Sequence, residues 1–213
     1  MTDERQKKRI YFVYACVSFI SWIILLFTLQ HLDVGPAGPA QETVGLAGLN
    51  EYAWSIFGEN VIYVHFADIV FTVSEIVAML FLCLAIRRFV IGQGIKAIPK
   101  GVCALLIVYL LSAIVIIIFK KIDLETGPQG LTHSYMHPWL VLPLVIMPTA
   151  MGEYHVLVKD DENTVFAAQG FSLIIIIVTI VIRTISGQFW FTDIAGASLF
   201  SIAMFYLYKS IKV

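Results

Sequence analysis

The chain has 213 residues, of which 59% are apolar and only 14% charged, with a formal net charge of −1 and a mean hydropathy of +0.86. That balance excludes a soluble domain of this length, and the absence of any basic patch excludes a nucleic-acid binder, which leaves an integral membrane protein. Apolar stretches cover about 10–29, 66–86, 101–119, 138–158, 165–182 and 189–208. Each approaches the roughly 20 residues that a helix needs to cross about 30 Å of hydrocarbon. Six spanning helices follow, because a helix satisfies its own backbone polar groups where water is absent.

Arg5, Lys7, Lys8 and Arg9 precede the first stretch, and placing them in the cytoplasm fixes the rest of the path by alternation. Both termini then fall inside, with eleven of the fourteen basic residues; only Lys120, Lys121 and Arg183 fall outside. These three sit at the ends of spans, where they either snorkel to headgroups or do chemistry. The first span is longer than a signal-peptide core and the run 35–40, Gly-Pro-Ala-Gly-Pro-Ala, reads as a loop, so an uncleaved anchor is expected. Cys16, Cys83 and Cys103 lie inside apolar stretches and read as small core residues, not disulfide or zinc partners.

The longest external connection, 31–64, mixes Trp54, Phe57 and Tyr63 with Glu51, Glu59 and Asn60. It predicts a short amphipathic helix at the interface, acting as a lid over an outer cavity or as a plain tether. In the second span Asp68 and Glu75 are seven residues apart, two turns along one helix face. Carboxyl groups are costly in a bilayer, so each marks a function by default, with Arg183 as a possible partner. Asp68 is near enough to the outer end to be wet, whereas Glu75 lies deeper and calls for a structural partner or a proton-relay role. Glu153, His155 and the run 159–163 read as a solvated inner turn, with Asn163 or Thr164 capping the next helix.

The outward-facing segments carry the motifs. Ser186-Gly187-Gln188-Phe189-Trp190-Phe191-Thr192-Asp193-Ile194 is similar to the phrase S-G-x-H-W-F-T-D-I of the type-2 phosphatidic acid phosphatase family. Ile146-Met147-Pro148-Thr149-Ala150 and the loop from Lys96 to Tyr109 resemble Gram-positive bacterial members, and the resemblance runs from about residue 50 to the C-terminus. It implies an all-α polytopic bundle of six transmembrane helices in one domain, with a short interfacial helix after the first span. It also implies a bacterial plasma membrane and a site facing outside. In that family a histidine attacks phosphorus, an aspartate orients it, and arginines and a lysine hold the phosphate oxygens.

Onto this chain the resemblance carries Lys121, Arg183 and Asp193 as anion-binding and orienting positions, while Phe189 stands where the nucleophilic histidine belongs. Gly127 occupies a phosphate-binding arginine position, and Ser134-Tyr135-Met136-His137-Pro138-Trp139 replaces the serine- and histidine-bearing second segment. Asp123 and Glu125 add negative charge beside the old anion site. Three losses in three segments imply a pseudoenzyme that binds a lipid phosphate headgroup, or a membrane-protein partner, at Lys121, Arg183, Asp193 and His137, with no cofactor. The alternative is an active lipid phosphate or diphosphate phosphatase with rearranged residues. There His137 or His133, spaced i, i+4, would serve as nucleophile or, with a nearby acid, as metal ligands. The same two histidines also read as a hydrogen-bonded interfacial pair. A small transporter or channel using Asp68, Glu75 and Arg183 is a third possibility.

Overall fold

The computed structural model describes residues 2–58, 60–92, 94–122, 124–128, 130, 134–158 and 161–213. Along the chain come α1 (Thr2–His31), a two-stranded antiparallel hairpin β1 (Gly35–Ala37) and β2 (Glu42–Val44), α2 (Ala47–Phe57) and α3 (Val61–Ile91). A 3₁₀ turn (Ile95–Ala97) follows, then α4 (Lys100–Ile122), α5 (Pro138–Ala150), the single turn α6 (Tyr154–Leu157), α7 (Glu162–Ile185) and α8 (Phe191–Lys212). The protein is all-α apart from the hairpin, and five helices, α1, α3, α4, α7 and α8, are long and apolar enough to cross a membrane.

The helix starts follow from local chemistry. Asn60 caps α3 by accepting the Ile62 N–H at 3.1 Å. His137 caps α5 by accepting the Trp139 N–H through Nδ1 at 3.3 Å, with Pro138 at the first helical position, where its missing N–H is no loss. The expected span over 138–158 takes a different form: α5 stops at Ala150 after 13 residues, about 20 Å at 1.5 Å per residue. Pro143 and Pro148 each delete a ladder hydrogen bond, and the chain turns at Gly152 before α6.

Glu153, expected in a solvated turn, is 2% exposed. It accepts the Tyr208 hydroxyl at 2.5 Å and pairs with Lys212 Nζ at 2.6 Å, so the end of α8 folds over the turn and neutralises it. His155 of the same turn is exposed, and Lys159 and Asp160 lie outside the described residues.

Helix α8 is the axis of the bundle, packed by α1, α4 and α5. Trp22 of α1 wedges between Phe119 of α4 and Phe200 of α8, with ring centroids 5.5 and 5.3 Å away. A second layer joins α3, α5 and α7 through Val70, Ile146, Met147 and Ile175. The segment after α1, expected as an irregular loop, forms the hairpin, and its exit at Gly45 lies so close to α1 that a Cβ there would collide with the Leu29 carbonyl. Gly45→Ala is therefore expected to lower stability by about 1–3 kcal/mol through overpacking against backbone, read as earlier thermal unfolding in detergent.

Candidate functional site

The motif residues gather at the end of the bundle that carries the hairpin and α2, but in two separate centres. The first is built on Arg183, in the last turn of α7 and 1% exposed. Its guanidinium donates to Gln188 Oε1 at 2.6 Å and pairs with Asp68 Oδ1 of α3 at 3.4 Å. The rings of Trp139 and Phe189 lie 5.6 and 5.7 Å from its central carbon. The tight turn after α7 makes this possible: Gly187 has φ +66°, and a Cβ there would strike the Gly58 carbonyl, so Gln188 is turned back toward the arginine. Phe189 is 3% exposed and its ring lies 5.4 Å from that of His137.

The second centre is built on Asp193, on the first turn of α8 and completely buried. Its Oδ2 accepts the Trp190 N–H at 3.0 Å, the half of a capping box in which the third helical residue reaches back. Its Oδ1 has no donor, and neither has Oε2 of Glu125, the side chain within hydrogen-bonding reach of it. The other oxygen of Glu125 accepts the Gly45 N–H at 3.1 Å. Two buried carboxylates that act on each other repel in a medium that screens poorly, which favours the protonated form of Glu125. Burial pushes the Glu125 carboxyl up from its usual 4.5 to about 7, against the opposing pull of the Gly45 N–H and the Asp193 side chain. The Tyr135 hydroxyl is also buried without a partner, against Gly196, which has no Cβ to occupy its place, and burial pushes the phenol up as well.

Helix α2 is docked over this centre. Asn50, 1% exposed, donates to the Gly45 carbonyl at 3.0 Å and to Thr192 Oγ1 at 2.9 Å, and accepts the Thr192 N–H at 3.2 Å. Trp190 Nε1 reaches the Thr126 carbonyl at 2.7 Å. The 31–64 connection thus covers the start of α8.

Of the residues singled out by motif, the structure brings Arg183, Phe189 and His137 together and sets Asp193 apart with Glu125. Lys121 is exposed at the last turn of α4 and makes no hydrogen bond or ion pair with either centre. His133 and Asp123 lie outside the described residues; among the described ones no three His, Cys, Asp or Glu side chains gather as they would around a metal ion. The roles of Gln188 and Asn50 are not legible in the sequence, since a lone amide in a turn or an interfacial helix carries no signal of its own. No family model, curated protein or solved structure matches the chain.

The direction of a pH effect follows. Between about 4.5 and about 7 folded Glu125 holds its proton while the unfolded chain has released it, so this group's contribution to stability falls as pH rises through that window. Melting temperatures of the wild type and Glu125→Gln across that range are expected to show the decline in the wild type and a flatter profile in the variant.

Proposed function

We propose that this chain is a non-catalytic, six-span relative of the type-2 phosphatidic acid phosphatases, one that binds at its α2 end and does not turn phosphate over. The observation that carries the reading is the packing of Phe189 beside Arg183: where the resemblance calls for a nucleophile, a benzene ring lies 5.7 Å from the guanidinium. A phenyl group cannot form a phosphoryl-enzyme bond, and losing a nucleophile costs orders of magnitude in rate.

Electrostatics support the same reading. The arginine that would hold a phosphate is paired with the Asp68 carboxylate and hydrogen-bonded to Gln188, and the aspartate that would orient a histidine lies against Glu125. An anionic lipid headgroup reaches Arg183 only by displacing Asp68, whose side chain is 45% exposed and whose pairing distance of 3.4 Å is long for an ion pair. Headgroup binding is therefore an exchange of one anion for another. Lys121, exposed at the end of α4, adds a positive charge but no fixed geometry.

Release of inorganic phosphate from phosphatidic acid and from undecaprenyl diphosphate, by purified protein in mixed micelles with and without divalent metal, tests this. The expected result is no release above the protein-free blank for the wild type. Phe189→His alone is expected to stay inactive, because Arg183 remains committed to Asp68. Turnover by the wild type that disappears in His137→Ala would overturn the reading and install a relocated active site in its place.

A further inference from the structure

Helix α3 carries an ionisable group that the bundle leaves unserved. Glu75 sits one residue before the midpoint of this 31-residue helix, is exposed on the outside of the bundle, and has no hydrogen bond or ion pair with any described residue. Its neighbour Ser74, by contrast, is fully buried and satisfied by the Val70 carbonyl. Since α3 is apolar and long enough to cross the membrane, Glu75 stands near the middle of the hydrocarbon, where an acid facing lipid is among the costliest arrangements available to a protein.

Glu75 also has company. Asp68, Thr72, Glu75, Met79, Leu82 and Ile86 recur at alternating spacings of four and three, the seam of a helix that packs lengthwise against another. All but the half-buried Asp68 are exposed. The buried face of α3, through Ala67, Val70, Ser74 and Phe81, already serves α5 and α7, so from Thr72 onward this seam is a second face that no described residue covers.

We infer that the seam centred on Glu75 is a docking face for a transmembrane helix of another protein that carries a lysine or arginine near mid-bilayer. Charge complementarity selects this occupant. A second copy of the chain cannot supply the cation, because the apolar stretches 10–29, 66–86, 101–119, 138–158, 165–182 and 189–208 contain no lysine or arginine at all. Packed symmetrically along the same seam, a second copy would instead set Glu75 against Glu75. A cationic partner neutralises the carboxylate by a charge-assisted hydrogen bond, in a medium where no water competes for it. The seam meets the α2 end only through Asp68, and Glu75 lies two turns away from it, so the inference stands whether or not a headgroup binds there.

The test uses the full-length protein in phosphatidylcholine vesicles with a fluorescent synthetic helix of about 20 leucines bearing one central lysine. Energy transfer from labelled protein should report association at least tenfold stronger than with the all-leucine helix. Glu75→Gln, which keeps size and exposure, should abolish that preference. Glu75→Lys should transfer it to a helix bearing a central glutamate, a reversal that a misfolded variant would not show. Equal association of wild type and Glu75→Gln with the lysine helix would overturn the inference. So would transfer between two labelled copies of the protein that is lost in Glu75→Gln and indifferent to the lysine helix, which would make the seam a self-association face.

Discussion

The buried carboxyls of Glu125 and Asp193 are the constraint on which the α2 end of the molecule depends. Asp193 holds the start of α8 through the Trp190 N–H, and Glu125 holds the loop after α4 to the hairpin through the Gly45 N–H. The pair therefore ties two chain segments, the loop after α4 and the hairpin exit, to one helix terminus. Asn50 then locks α2 onto Thr192, and Trp190 pins Thr126, each using a group whose position the acid pair has set. Because α8 is the helix around which α1, α4 and α5 assemble, the register of this knot is passed down the bundle. Removing either acid leaves the other buried with an uncompensated polar atom, which is why such a pair behaves as a unit and not as two independent residues.

The two centres also separate what the motif places close in sequence. Arg183 and Asp193 flank one turn, yet the arginine faces α3 and the aspartate faces the loop after α4. Phe189 lies beside the arginine with its ring near His137, so the path between the two centres is aromatic where the resemblance implies a polar relay. Among the described residues, the groups that meet the Arg183 guanidinium are Asp68, Gln188, Trp139 and Phe189, none of them a histidine.

How much of this the sequence discloses depends on the range of the force involved. Span positions are legible because bilayer thickness imposes a length on any apolar run: α1, α3, α4 and α7 contain the stretches so marked, and α8 contains all of its stretch but the first two residues. The early end of α5 is not legible from hydropathy, since Pro143, Pro148 and Gly152 are apolar or neutral while breaking the backbone ladder. The hairpin is hidden for a related reason: two three-residue strands with a proline in one leave no alternation to read. Arg183, Phe189 and Asp193 are legible as a spacing, but their true partners Asp68 and Glu125 come from other helices and loops, which only tertiary packing can reveal. Glu125 reads in sequence as a charge spoiling an anion site, and in the structure becomes half of the knot.

Asp68 and Glu75 show how the same side-chain chemistry acquires different roles by depth. Both lie on one face of α3, two turns apart. Asp68 finds Arg183 within its own chain, at an exposed enough position for water to weaken the pair, whereas Glu75 finds no partner among the described residues and lies near the middle of an apolar helix. A helix docked along the seam would cover both. By excluding water from Asp68 it would strengthen the Asp68 to Arg183 interaction and make the arginine harder to draw away to a lipid phosphate. Occupancy of the mid-membrane seam and anion exchange at the α2 end would then oppose each other through a single carboxylate, with no change of fold required.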